Sequence, residues 1–291
     1  MELRQIEHFR AVVEHGGFTA AARSVRIVQS ALSTSIRNLE RELGAPLFER
    51  STRRVALTEA GRAFLPHARR VLAEAEAASD AVSAVAGLRS GRVSVGTIQW
   101  LGPVDLPAEL SAFHRLYPGI QITVLNVPVE ALIDQLRGGE LDLAYLASDD
   151  GLPDDLAGHP VYREPLQLIM PLDHPLAGRE RVRWSELDDE PLVLFSEGSA
   201  VTGIVRRTCT RLGVRQRVVG QVTQVDLQLA LVRHGLGVAV VQGTLAATAG
   251  GVAVADLGDP DVSWEVLLAS RAPAPVNPAA LVLREHLTSG L

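Results

Sequence analysis

Apolar residues recur at helical spacing from the start of the chain. Leu3, Ile6, Phe9, Val12 and Val13 share one face of a helix expected over 3–14, because side chains three and four apart lie side by side. Gly16-Gly17 stops that helix. Thr19 reads as the N-cap of a short second helix reaching Val25, and its three alanines (Ala20, Ala21, Ala22) permit close packing. A turn through Arg26-Ile27-Val28 leads to a third helix over 29–43, closed by Gly44. There Leu32, Ile36, Leu39 and Leu43 recur at intervals of four, three and four, which predicts an inward stripe. Ser30, Thr34, Arg37 and Arg41 repeat those intervals on another face, with Gln29 opening the helix and Ser33 and Asn38 at the flank. That face carries hydroxyls, amides and cations, the groups that read base edges and phosphates in a major groove. A solvated helix face has similar composition, so this pattern alone leaves both readings open.

Two short extended runs follow, around Leu47-Phe48-Glu49-Arg50 and Val55-Ala56-Leu57, with Arg53 and Arg54 at the polar tip between them. This is the pattern of a β-hairpin. Its arginines can meet phosphates or a minor groove, or simply be exposed loop residues. Thr58 then caps a long helix carrying Phe64, Ala68, Val71, Ala75, Ala78, Val82 and Val85. Their alternating spacing of four and three is a heptad seam. It predicts pairing with a second helix, or packing against the body of the same chain. Pro66 sits inside this helix as a potential kink.

Beyond the Gly87–Gly91 hinge the pattern changes. Strands are expected at 92–96, 120–124 and 141–146, alternating with helices at 106–117 and 129–137. That βαβαβ order is a doubly wound parallel unit. A second unit has strands at 166–171, 192–195, 217–222 and 238–241, helices at 201–212 and 225–234, then a strand at 264–269 and a final helix at 278–287. The division is 1–58, a helical unit with a hairpin; 59–90, a linker helix and hinge; and 91–291, an α/β unit.

Charge sharpens this division. All 28 basic residues are arginine. Residues 1–70 hold 12 Arg and 7 Glu, a net +5, while the rest hold 16 Arg and 27 acidic residues, a net −11. A basic head on an acidic body points to a polyanion partner at the head only. No run of 18 apolar residues occurs, so no membrane partner is expected. The polar start Met1-Glu2-Leu3-Arg4 is not a secretory leader, and a cytoplasmic location is the expectation. The single Cys209 excludes an intramolecular disulfide and a cysteine-cage metal site; it reads as a buried apolar residue or as a thiol activated by nearby arginines. The eight histidines show no metal-ligand spacing. Gly235-Leu236-Gly237-Val238-Ala239-Val240 lacks the third glycine of a dinucleotide loop and runs into a strand. No Gly-x-Ser-x-Gly elbow occurs. No catalytic residue, metal or cofactor is therefore expected.

Taken together, Leu3, Phe9, Gly17-Phe18-Thr19, Ala21-Ala22, Gln29, Ala31-Leu32-Ser33, Ile36, Leu39-Glu40, Leu43-Gly44, Leu47-Phe48, Arg50, Leu57-Thr58 and Ala60-Gly61 resemble the LysR-type transcriptional regulators. Tyr117-Pro118, Gly139-Glu140-Leu141-Asp142-Leu143-Ala144 and Gly235-Leu236-Gly237-Val238 extend the resemblance over the whole chain. It implies a winged helix-turn-helix, a long linker helix and two doubly wound α/β subdomains like a type 2 periplasmic binding protein. The subdomains would be 91–162 plus 265–291, and 163–264. It implies homodimers or homotetramers, double-stranded DNA with a promoter inverted repeat, a small-molecule effector and RNA polymerase as partners. DNA contacts would come from Gln29, Ser30, Ser33, Thr34, Arg37, Arg41, Arg50, Arg53 and Arg54. The family commonly has Ser at Val28, Pro at Ser30 and Arg at Thr34, so the DNA sequence read here should differ. The effector cleft would be lined by Thr97, Ile98, Gln99 and Trp100, by Asn126, Val127 and Pro128, and by Phe195, Ser196, Ser199 and Thr223. Helix N-termini there suit a carboxylate. Trp100 and Phe195 either face an aromatic effector or pack the core. A regulator without an effector and a cytoplasmic solute-binding module are the remaining alternatives.

Overall fold

A computed structural model describes residues 1–50, 55–85, 90–148, 151–258, 262–275 and 277–289. The N-terminal unit comprises α1 (Leu3–His15), α2 (Phe18–Ser24), α3 (Gln29–Leu43), a hairpin of β1 (Phe48–Arg50) and β2 (Val55–Leu57), and the long α4 (Glu59–Val85). Its core is built from the predicted stripes: Ile6, Phe9, Val12, Leu32, Ile36 and Leu39 are all buried. The Phe9 ring lies 5.2 Å from Phe48 and 5.1 Å from Phe64. Two local expectations are corrected. Gly17, not Thr19, is the N-cap of α2, because Phe18 already belongs to the helix and packs on Phe48. Leu43 is 40% exposed; the inward stripe ends at Leu39, where α3 runs past the edge of this small core.

The C-terminal unit contains β3 (Ser90–Thr97), α5 (Leu106–Leu116), β4 (Gly119–Asn126), α6 (Val129–Gly138), β5 (Leu143–Ser148), β6 (Leu156–Met170), β7 (Arg181–Arg183), β8 (Pro191–Phe195), α7 (Ala200–Leu212), β9 (Arg217–Val222), α8 (Val225–Arg233), β10 (Ala239–Gln242), α9 (Gly243–Thr248), β11 (Ala253–Gly258), β12 (Ser263–Arg271) and α10 (Pro278–Thr288). The main sheet runs β4-β3-β5-β12-β6-β11-β7, with β10 also on β6, and β8-β9 form a separate pair. The long β6 ties the unit together. Nine of its first ten residues pair with β12, and from Leu166 onward it pairs with β10 and β11. One lobe therefore gathers around β3, β4, β5 and β12, and the other around β8 to β11.

The first two-thirds of β6, together with β7, β11 and α9, have no counterpart in the sequence pattern. Pro160 argues against a central strand. The structure accommodates it with a register shift at Val266/Leu267, where Val266 pairs with Tyr162, Leu267 pairs with Pro160 and Val161 has no partner. That is a β-bulge.

Candidate functional site

Helix α3 presents its polar face outward. Gln29, Ser30, Thr34, Arg37 and Arg41 are exposed and Ser33 is half-buried. The Arg37 guanidinium donates to Thr34 Oγ1 at 3.0 Å, and that of Arg41 donates to Asn38 Oδ1 at 3.1 Å. These bonds lie along the helix and aim the cations over its surface. Val28, the N-cap, makes no side-chain bond, so the opening N–H groups of α3 lack the cap a serine would supply. On the inner side, His8 Nδ1 of α1 meets Ser35 Oγ at 2.7 Å. Burial holds the imidazole below its ordinary value, which favours the neutral ring.

The hairpin is mounted beside α3 by a residue to which sequence reasoning gave no role. Glu40 is buried, and its carboxylate accepts the Leu47 N–H at 2.9 Å and the Phe48 N–H at 3.4 Å. Such a buried carboxylate must be partnered, and here its partners are the first residues of the hairpin. Thr58 Oγ1 donates to the Pro46 carbonyl at 2.6 Å and accepts the Gly61 N–H at 3.0 Å. Gly61 lies so close to Leu47 that a Cβ would fall 2.1 Å from its carbonyl oxygen. Arg50 pairs with Val55 in the hairpin; Arg53, Arg54 and the side chain of Arg50 lie outside the described residues.

The heptad seam of α4 divides into two faces. Ala68 is buried in the N-terminal core and Phe64, half-buried, packs against that core, so these two positions serve their own chain. Val71 and Val82 are 39% and 72% exposed, Ala78 is exposed and Ala75 half-buried. The Val85 side chain lies outside the described residues. The helix continues through Pro66 without interruption. Among the described residues, three ion pairs pin α4 to the first lobe: Arg69 to Glu140, Glu76 to Arg92 at 2.6 Å, and Glu74 to Arg271 at 2.9 Å. Burial raises the Glu140 carboxyl despite its arginine partner.

Between the lobes, the loop after β3 supplies Ile98, Gln99 and Trp100, and the loop into α7 supplies Phe195 and Ser199. They enclose a cavity of about 20 Å³, room for about one water. The remaining wall comes from Val129, Ala200, Val201, Val225, Gln242 and Trp264, none of which the sequence singled out. Gln242, a polar residue ending an apolar strand, was the available signal. Thr97 is buried with its hydroxyl donating to the Ile98 carbonyl at 3.1 Å. Asn126, Pro128 and Thr223 are exposed, Val127 packs against the core, and Ser196 is half-buried; these five, with Thr97, do not line this cavity.

Two sets of bonds close the cleft. Val129 N–H, at the start of α6, donates to the Gly198 carbonyl at 3.4 Å, so the N–H expected to receive a carboxylate already has an oxygen. The Trp100 indole N–H donates to Thr244 Oγ1 at 2.9 Å. Thr244 in turn donates its N–H to Glu164 Oε2 at 2.6 Å and its hydroxyl to Oε1 at 3.0 Å. Glu164 is buried on β6, the strand shared by both lobes. A further cavity of about 240 Å³ touches the same loops at Val129, Gly198 and Ser199, with Glu130 and Arg207 at its wall.

Other chemistry is limited. Cys209 is fully buried in α7, and burial pushes its thiol up to about 11. Among the described residues no cluster of His, Cys, Asp or Glu suits a metal ion, and no helix is long and apolar enough to cross a membrane. Gly237 packs against Pro191, where a Cβ would fall 2.2 Å from the carbonyl oxygen; its smallness serves strand packing.

Comparison with known proteins bears on both regions. A family model described as "LysR substrate binding domain" matches residues 86–291, and one described as "Bacterial regulatory helix-turn-helix protein, lysR family" matches residues 3–62. The chain is 37% identical over 246 residues to the HTH-type transcriptional regulator ShiR of Corynebacterium glutamicum, covering 82% of each chain. It is 32% identical over 241 residues to the hydrogen peroxide-inducible genes activator of Dickeya chrysanthemi, covering 83% of this chain and 79% of that one. A full-length OxyR variant from Pseudomonas aeruginosa superposes with a TM-score of 0.74 at 27% identity, over 99% of this chain and 94% of that one.

Proposed function

The chain belongs to the LysR family of transcriptional regulators, DNA-binding proteins with an effector-binding domain, and on that premise we propose how its residues divide the work. Gln29, Ser30, Thr34 and Arg37 read base edges and adjacent phosphates, with Ser33 and Arg41 flanking and Arg50, Arg53 and Arg54 gripping the backbone from the wing. The observation that carries this reading is α3 itself: one face is sealed in the core and the opposite face is exposed, polar and cationic. Glu40 sets the wing beside it. The exposed Val71, Ala78 and Val82 of α4 pair two copies on an inverted repeat. The protein acts in the cytoplasm together with RNA polymerase and performs no catalytic step.

The effector is a small organic molecule that binds non-covalently between the lobes, where Trp100, Phe195 and Trp264 offer aromatic faces and Gln99, Ser199 and Gln242 offer hydrogen bonds. The closed cleft must part to admit it, and an effector carboxylate would replace the Gly198 carbonyl at Val129 N–H. Some relatives are named for hydrogen peroxide. In this chain a peroxide-responsive disulfide has no second cysteine, and Cys209 is buried with a raised thiol, the opposite of an activated thiolate. The near-absence of space in the cleft also favours a second reading, a regulator that acts by occupancy without an effector.

The test is a gel shift against the chain's own upstream intergenic DNA with unrelated DNA as competitor. A competitor-resistant band that Arg37→Ala weakens by about 1–3 kcal/mol supports the assignment to α3. An unchanged affinity in that variant removes Arg37 from the interface. A thermal-shift screen with small carboxylates separates the two effector readings, since a ligand of the folded state must raise its melting temperature.

A further inference from the structure

The first lobe contains a cavity apart from the cleft. It measures about 390 Å³, within the range that small-molecule sites occupy. Its apolar floor comes from Val104 before α5, Tyr145 on β5, Val161 and Tyr162 on β6, and Leu287 on α10. Consecutive strand residues ordinarily point to opposite faces. The bulge at Val161 relaxes that alternation, and both Val161 and Tyr162 line the one cavity. Gly102, with φ of 58°, approaches the Tyr162 ring so closely that a Cβ would meet it at 2.7–2.9 Å. The loop before α5 thus holds that ring in place.

The polar groups are distinctive. Tyr145 is 1% exposed, and its hydroxyl has no hydrogen-bond partner among the described residues. The residue lines the cavity, and its hydroxyl is not one of the polar atoms sealed away without a partner, so it is accessible from the cavity. Burial, with Glu109 nearby, pushes the phenol up to about 12, so the hydroxyl stays protonated while its oxygen remains free to accept. Asp105 and Glu109 stand on the rim, with His286 Nε2 3.3 Å from the Glu109 carboxylate. Among the described residues no arginine lines the cavity. Carboxylates beside two tyrosine rings are the surroundings that favour a cation over an anion.

We propose that this cavity is a second ligand site and that it takes a small organic amine. The ammonium lies against Glu109 and the Tyr145 hydroxyl, and a flat apolar body covers Val161, Tyr162 and Leu287. The site lies wholly within one lobe and does not depend on what the cleft binds.

Calorimetric titration of the full chain with benzylamine, phenethylamine and cyclohexylamine tests this, with phenylacetate as the anionic control. Concentrations should reach about 10 mM, above the Kd of a millimolar fragment. At least one amine should saturate a single site and phenylacetate should not compete. Glu109→Gln and Tyr145→Phe should each weaken the amine about tenfold, as expected for loss of a charge-assisted bond, and Trp100→Ala in the cleft should leave it unchanged. Tyr145→Phe removes a hydroxyl that bonds none of the described residues, so its fold should be intact by circular dichroism. The proposal is overturned if no amine saturates, if phenylacetate competes equally, or if Trp100→Ala abolishes binding that Glu109→Gln and Tyr145→Phe leave intact.

Discussion

Replacing Glu40 by alanine should loosen the wing and destabilise the whole DNA-binding unit. The carboxylate accepts two buried backbone N–H groups, at 2.9 Å from Leu47 and 3.4 Å from Phe48. A hydrogen bond to a charged group contributes about 1.5–3 kcal/mol, and the longer of the two is weak, so the alanine variant should lose about 2–4 kcal/mol. A unit of about sixty residues has roughly 3–9 kcal/mol of stability at the usual per-residue value, so the loss is a large fraction of the total. At about 4–8 °C per kcal/mol for a domain this size, its melting transition should fall by roughly 8–32 °C. Scanning calorimetry of the full chain reads this directly, and the relevant transition is the one that added operator DNA raises. Glu40→Gln keeps an acceptor oxygen without the charge and should lose about half as much. If the alanine variant melts within about 2 °C of the unaltered protein, Glu40 does not secure the wing and the account of how it is mounted fails.

Thr244→Val removes the acceptor of the Trp100 indole at the cleft. The same hydroxyl also donates to Glu164 Oε1; loss of the Trp100 bond alone, about 1 kcal/mol net, should shift the lobes about fivefold toward opening. Trp184 and Trp264 are buried at 0% and 3%, so acrylamide quenching reports mainly on Trp100 and should increase; unchanged quenching would show that this bond does not hold the cleft. For His8, burial lowers the folded-state pKa below 6.5, so the unfolded chain binds the proton more readily. The associated stability is present above pH 6.5 and is lost as pH falls from there through the folded value. His8→Asn keeps a partner for Ser35 and should remove that part of the pH slope in denaturant melts; an identical slope in the variant refutes it. Val71→Glu with Val82→Glu places charge on the exposed face of α4 and should halve the mass seen by light scattering, whereas an unchanged mass would direct attention to a different pairing surface.

Local periodicity carried the N-terminal unit. The stripe of Leu32, Ile36 and Leu39, the glycine stop at Gly44 and the Thr58 cap are properties of neighbouring residues, and they survive in the fold because a small helical unit is organised by contacts close in sequence. The same reasoning misassigned Leu43 and left open what covers Phe64 and Ala68. A heptad spacing states that residues share a face but not what covers it, and here the first two positions of the α4 seam are covered by the chain's own core. The sequence by itself determined the order of elements, the basic head and the polar face of α3. Only the tertiary structure decided that Glu40 holds the wing, that the bulge at Val161 aligns two β6 side chains on one cavity, and that Trp100, Glu164 and Thr244 join to close the cleft. The last three residues are separated by 64 and 80 positions, and their meeting depends on sheet register and lobe placement, which no local pattern of apolar and polar residues encodes.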